Sequence, residues 1–147
     1  NGLKTYDEKN PIYTCAHHLP GAKIKSTKVT SSIICEGSII EAEEITNSMI
    51  GLRSKIKKNT KVKNSVLLGN SSYSSAVQHL SILPEAFEIG ENCLIEKTII
   101  DEHVKIGNNV KLINKKNLSS YDGENIFVKD NIIVITAGTT IKDGFEF

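Results

Sequence analysis

The sequence has no tryptophan, and aromatic residues make up only 5 % of its 147 positions. Large rings therefore cannot carry the core. The apolar fraction of 39 % rests on small and β-branched side chains, which favours stacked strands over ring-locked helices. Charge of one sign is also lacking. Eighteen basic and seventeen acidic residues leave a formal charge of +1, which argues against a nucleic-acid partner. Cysteine is scarce. Cys15, Cys35 and Cys93 are odd in number and share no metal-ligand spacing, so free thiols in a reducing compartment are expected. No apolar run approaches membrane-spanning length and no secretory pattern is recognisable, so no membrane partner is expected. Glycosylation-type triplets at Asn70 and Asn117 would be silent in the cytosol. The opening Asn1-Gly2-Leu3-Lys4 lacks an initiator Met, and upstream sequence is expected.

What is present is a repeat. Ile33, Ile39 and Ile45 are six residues apart, and Ile50, Ile56 and Val62 resume the step after a one-residue slip. Ile89 and Ile95 follow, then Ile100, Ile106 and Leu112, then Ile135, Ile141 and Phe147. Between the anchors lie turn formers such as Lys58-Asn59-Thr60, Gly107-Asn108-Asn109 and Lys142-Asp143-Gly144. Short strands separated by corners suit a triangular coil of roughly 18 residues per turn, each turn pairing in parallel with the next. Inward Ile and Val would stack into a column that no single coil buries alone. An antiparallel sandwich also tolerates a period of six, because six is a multiple of two. It has no reason to hold that beat over so much of the chain. The expected fold is an all-β, single-stranded parallel β-helix of about five to six coils with two loop excursions.

Residues 1–21, interrupted by Pro11 and Pro20, read as an extended lead-in from a preceding domain, and residues 22–147 as the β-helix domain. Repeat blocks cover residues 22–68, 87–113 and 125–147. Excursions are expected at 69–86, around Pro84, and at 114–124. Open coil ends leave unpaired backbone edges. The lead-in is expected to cover the first coil and another subunit the last, so self-association follows on physical grounds. The basic run Lys55–Lys63 reads as a solvated face, or alternatively as a contact for phosphate or an acidic partner.

Several motifs, in order, resemble one family. They are Tyr6-Asp7-Glu8 with Pro11-Ile12-Tyr13-Thr14, His18-Leu19-Pro20, Ser48-Met49-Ile50-Gly51-Leu52-Arg53-Ser54, and Ser65-Val66-Leu67-Leu68-Gly69 with Tyr73. Ile89-Gly90-Glu91-Asn92-Cys93, Ile99-Ile100-Asp101, Ile106-Gly107-Asn108-Asn109-Val110, Ile113-Asn114-Lys115, Val134-Ile135 and Thr140-Ile141-Lys142-Asp143-Gly144 continue the series. Over essentially its whole length the chain resembles the C-terminal domain of ADP-glucose pyrophosphorylases (glucose-1-phosphate adenylyltransferases). The resemblance implies a left-handed coil, where the usual crossover rule would point the other way. It implies a nucleotidyltransferase that joins ATP and glucose 1-phosphate into ADP-glucose and pyrophosphate, with Mg²⁺, for glycogen or starch synthesis. It places that chemistry in an N-terminal nucleotide-binding domain whose motifs are missing here, so this segment alone is expected to be inactive. It further implies homo- or hetero-tetramer assembly, a phosphorylated metabolite effector, and a cytoplasmic location (plastid in a plant).

By position, the family's effector pocket falls on Cys15 and His17, on Lys115, and on Thr136. Only Lys115 keeps a basic residue. The family's Gln-x-Arg pair is replaced by Cys15 and His17, its tail lysine by Thr136, and another of its lysines by Glu102. Arg forks two donors onto a phosphate and stays charged, whereas His is only partly charged near neutral pH, so weak or altered regulation is expected. Arg53 reads either as a corner arginine paired with a carboxylate or as a domain or subunit contact. Lys115 reads either as solvated or as an effector contact. His17-His18 point to opposite sides of an extended chain and serve one ion poorly. His103 invites comparison with the general base of hexapeptide acyltransferases. That reading and a non-catalytic scaffold are the alternative functions. Cys35 and Cys93 beside the repeat anchors read as inert small side chains.

Overall fold

The computed structural model describes residues 7–11, 17–70 and 87–147. The chain winds into stacked triangular coils. The first holds β1 (Lys23–Ile24), β2 (Lys28–Thr30) and β3 (Ile33–Ile34). The second holds β4 (Ile39–Ile40), β5 (Glu44–Thr46) and β6 (Met49–Leu52). The third holds β7 (Lys55–Ile56), β8 (Lys61–Lys63) and β9 (Val66–Gly69). The fourth holds β10 (Glu88–Ile89), β11 (Leu94–Glu96) and β12 (Thr98–Ile100). In the fifth, β13 (Lys105–Ile106) and β14 (Lys111–Leu112) are followed by a hairpin, β15 (Ser120–Asp122) and β16 (Ile126–Lys129), before β17 (Ile132–Ile135) completes the turn. A sixth turn opens with β18 (Thr140–Ile141). Every third strand pairs in parallel. This makes sheet A (β1-β4-β7-β10-β13-β18), sheet B (β2-β5-β8-β11-β14) and sheet C (β3-β6-β9-β12-β17, then β16 and β15).

The core is one column per sheet. Ile40, Ile56, Ile89 and Ile106 fill sheet A's column, Ile45, Val62, Ile95 and Leu112 sheet B's, and Ile50, Leu67, Ile100 and Ile135 sheet C's, all buried. The period corrects the expectation in two ways. Partners lie 16 residues apart between the second and third coils in sheet A (Ile40↔Ile56) and 17 apart in sheet B (Ile45↔Val62), not roughly 18. The side from sheet B to sheet C is five residues long, as in Val62 to Leu67, while the next side keeps six, as in Ile50 to Ile56. The second correction concerns the first anchors. Ile34 and Ile40 turn inward, whereas Ile33 and Ile39 face solvent, at 55 % and 42 % exposure.

The corners explain the short side. Ser31, Asn47, Asn64, Lys97 and Asn114 lie at successive sheet B-to-C corners, all with φ between 45° and 49°. A left-handed residue turns the chain sharply, and Asn tolerates that conformation better than most side chains. The corner amides then bond across turns, Asn47 Nδ2 to Asn64 Oδ1 at 2.8 Å and Asn59 Nδ2 to Asn92 Oδ1 at 3.1 Å. A hydroxyl column runs beside the B-to-C corners. Ser32, Ser48 and Ser65 each accept the backbone N–H one coil on, at 3.1 Å in every case, from Ser48, Ser65 and Thr98. These bonds satisfy backbone donors that the corner would otherwise bury unpaired. Gly51 meets a stricter demand, because a Cβ there would lie 2.0 Å from the Leu68 carbonyl oxygen.

The first excursion leaves after Asn70 and returns at Phe87, and residues 71–86 lie outside the described set. The second is longer than residues 114–124. Residues Ile126–Lys129 do not rejoin the coil but form β16, which pairs antiparallel with both β15 and β17. The hairpin thus pairs the chain's own backbone with the C-terminal edge of sheet C, through β16 against β17. Ile126, Phe145 and Phe147 pack on the core there. At the opposite end the lead-in touches the coil through the Pro20 carbonyl, which accepts the Gly37 N–H at 2.7 Å. In the first coil Ile24 and Val29, in register with buried Ile40 and Ile45, are 47 % and 39 % exposed; residues 1–6 and 12–16 of the lead-in lie outside the described set.

Candidate functional site

The charged residues sort by face. On sheet A, Lys57 and Lys55 grip Glu88 from the coil below at 2.6 and 3.0 Å. Burial alone would raise the Glu88 pKa, but the hydrogen bonds and charges of the two lysines together outweigh it and hold the carboxyl below its usual range. On sheet B, Lys61 pairs with Glu43 at 3.0 Å and Lys63 with Glu44 at 3.2 Å. Within the basic run, Lys55, Lys57, Lys61 and Lys63 are thus laced to carboxylates of neighbouring coils.

Cys15 lies outside the described residues. His17 is exposed and precedes the first coil. Lys115 sits on the fifth coil, about four strand spacings or ~19 Å away along the stack. The fold brings Lys115 and Thr136 to the same end of the solenoid and leaves His17 at the other. Arg53 occupies a sheet C-to-A corner of the second coil with φ 53°, and its Nη1 donates to the Asn70 carbonyl one coil on, at 3.1 Å. It pins the corner from which the first excursion departs.

Lys115 lines a recess of about 220 Å³ with Asn114, Lys116, Leu118, Tyr121, Glu146 and Phe147. The Asn114 side chain shapes its wall, donating to the Leu118 carbonyl and accepting the Leu118 N–H, both at 2.9 Å. Tyr121 and Phe147 meet edge to face at 5.4 Å. Lys115 Nζ reaches Glu146 Oε1 at 3.1 Å, with Lys111 Nζ at 3.7 Å from the same oxygen. The Lys115 hydrogen bond, then the Lys111 charge, holds the Glu146 carboxyl below its ordinary pKa. Two lysines share this one carboxylate, and Lys116 also lines the recess, so positive charge is in excess there. A second recess of about 280 Å³ shares Tyr121 and Phe147 and is lined also by Asn125 and Thr139. Those are the neighbours of Thr136, whose Oγ1 lies 3.4 Å from the Asn125 carbonyl and 3.3 Å from Thr139 Oγ1. The aromatic pair thus stands between the two candidate residues. Sequence reasoning missed Tyr121, Glu146 and Phe147, because a pocket built by a hairpin folding over a terminal strand leaves no periodic signal.

The remaining candidates lie on the coils. His103 is a corner residue with φ 58°, its side chain 16 % exposed and Nε2 3.7 Å from Glu102 Oε2. Burial pushes the thiol pKa of Cys35 and of Cys93 up, which keeps both protonated and weakly nucleophilic.

Residues 17–145, every coil described above, match the family model of the GLGC left-handed parallel β-helix domain. The chain belongs to that family. The match agrees with the resemblance read from its motifs and gives the coil its left hand. The corner residues with positive φ supply the local geometry. As a GLGC β-helix domain, the chain is associated with a nucleotidyltransferase family.

Proposed function

We propose that this GLGC domain is the assembly and regulatory part of a glucose-1-phosphate adenylyltransferase, whose upstream nucleotide-binding domain makes ADP-glucose and pyrophosphate from ATP and glucose 1-phosphate. The family match over residues 17–145 carries this reading. The recess beside Lys115 supports the regulatory half. Its lysines suit a phosphorylated metabolite, a phosphate being a dianion that competes with Glu146 for them. Since His17 stands at the far end of the coil, a pocket using both residues needs a second subunit or the upstream domain to bridge them. Mg²⁺ takes oxygen ligands, usually carboxylates and phosphates. Among the described residues no three His, Cys, Asp or Glu side chains gather around a common point. With the rest of the proposed chemistry, the metal is assigned to the upstream domain.

The test compares pyrophosphate release by the full gene product and by this segment, with Mg²⁺, ATP and glucose 1-phosphate. Activity in the full product alone supports the proposal, and a well-folded full product without activity refutes the catalytic assignment. Titrating inorganic phosphate into the segment tests the recess. Glu146→Ala should tighten binding several-fold and Lys115→Ala should weaken it, whereas indifference to both substitutions places the effector elsewhere.

A further inference from the structure

Residues 145–147 are held more loosely than the strands of the column. The chain turns at Gly144 with φ 72°, where an added Cβ would meet nothing, and then runs Phe145-Glu146-Phe147 beside β14. The pairing is a single parallel bridge, Lys111 with Glu146. Its backbone bonds lengthen along the segment. Lys111 N–H donates to the Phe145 carbonyl at 2.8 Å and Phe147 N–H to the Lys111 carbonyl at 2.9 Å. The N–H groups of Ile113 and Lys115 then share the Phe147 carbonyl, at 3.3 Å each. Among the described residues no strand pairs with the other side of this segment. An edge segment with few backbone bonds lies at the low-stability end of a fold and opens first.

The side chains of the same segment occupy the recess that it borders. Glu146 Oε1, 3.1 Å from Lys115 Nζ, already takes the cation that the phosphate needs. Ion pairs as exposed as this one hold weakly. Phe147 meets Tyr121 edge to face and lines both recesses, so its ring is the partition between them. One short segment thus supplies the carboxylate that neutralises the lysines and the ring that divides the space beside them. We propose that residues 145–147 are a strap that competes with the ligand of the Lys115 recess, and that a phosphate taking the lysines lifts it from β14 about Gly144. A phosphate dianion brings more charge to Lys111 and Lys115 than one carboxylate does, and Lys116 stands beside them. Lifting the strap parts Phe147 from Tyr121, joins the two recesses into one groove that reaches Thr139, and frees the N–H groups of Lys111, Ile113 and Lys115. Occupancy of the recess is thereby converted into an open edge on sheet B. Conversely, a closed strap weakens apparent binding in proportion to the fraction of molecules in which it is shut. The inference rests on the phosphate reading of the recess proposed above and adds its regulation.

The experiment titrates inorganic phosphate into the 147-residue chain, with binding followed by calorimetry and amide hydrogen exchange by nuclear magnetic resonance. Phe147→Ala changes no charge and removes no polar group that a bare phosphate could use. It should nevertheless tighten binding by roughly fivefold to tenfold, as for a strap shut in about 80–90 % of molecules. Phe147→Leu keeps the apolar bulk and should stay near the parent affinity. In the unaltered chain, saturating phosphate should speed exchange at Lys111, Ile113 and Lys115 and leave the Leu94 N–H, bonded to the Val110 carbonyl in the coil below, as it was. That arm needs no variant, so it decides the matter even where Phe147→Ala disturbs folding. Phosphate that binds at Lys115 with unchanged exchange, and with equal affinity in Phe147→Ala, overturns the strap and leaves the recess reading intact. Phosphate that binds neither chain overturns both, whereas binding seen only in Phe147→Ala supports the strap.

Discussion

Adjacent isoleucines in β4 allow a direct test of which side chains build the column. Ile40 is fully buried between Ile24 and Ile56, whereas Ile39 is 42 % exposed between Lys23 and Lys55. Replacing either by Ala removes three carbons, about 2.4 kcal/mol of transfer free energy if fully buried. Ile40→Ala forfeits all of it and also leaves a cavity that the stacked coils cannot close, for a total of about 2–5 kcal/mol. Ile39→Ala loses about 1.4 kcal/mol at most and opens no cavity, because its outer side already faces water. Urea unfolding followed by far-ultraviolet circular dichroism, at concentrations that keep the chain monomeric, reads the difference. Ile40→Ala should cost at least about 1 kcal/mol more than its neighbour. Equal losses, or a larger loss at Ile39, would refute the inward assignment and with it the register of sheet A.

Other expectations follow from the same packing. Glu88 has a folded pKa held down by Lys57 and Lys55, so its contribution is present above its unfolded value and fades as pH falls through the folded one. Glu88→Gln should therefore flatten the acid side of the stability profile between neutral pH and pH ~3, measured as the urea midpoint; an unchanged slope would show that the lysine grip contributes nothing. Gly51→Ala should prevent native stacking or cost several kcal/mol, since the added methyl meets the Leu68 backbone rather than a movable side chain. Near-native thermal stability of that variant would contradict the close approach of the second and third coils. Cys93, buried and with its thiol pKa pushed up, should resist iodoacetamide at pH ~8 until the chain unfolds. Rapid native-state labelling would show that the fourth coil opens.

The coil was legible because burial requires it. Ile50, Ile56 and Val62 and then Ile89 and Ile95 are apolar residues among polar ones, and only the inward position tolerates them all. The register failed at Ile33-Ile34 and Ile39-Ile40, where both neighbours are isoleucine and hydrophobicity cannot choose between inside and outside. A strict beat of six also ignored the five-residue side, which depends on left-handed corners that Asn64 supports but does not announce. The hairpin was hidden because Ile126 and Val128 alternate like any strand of the coil. As for the candidate site, motif order identified Lys115, Thr136 and His17 but carries no information about height along the stack. Only the winding reveals that two share an end and the third does not. The partners that shape the recess, Glu146 and Phe147, are set by where the terminal turn comes to rest.

The corners have one more consequence. Ile56 pairs with Ile89 across 33 intervening steps, yet their strands are as well registered as Ile40 and Ile56, which are 16 apart. Ile106 and Ile141 do the same across 35 steps. Register in this solenoid is thus blind to how much chain is stored at a corner, because each strand needs only its neighbours above and below. Corners are therefore places where new peptide can be spliced in and selected for binding while the column beneath remains unchanged.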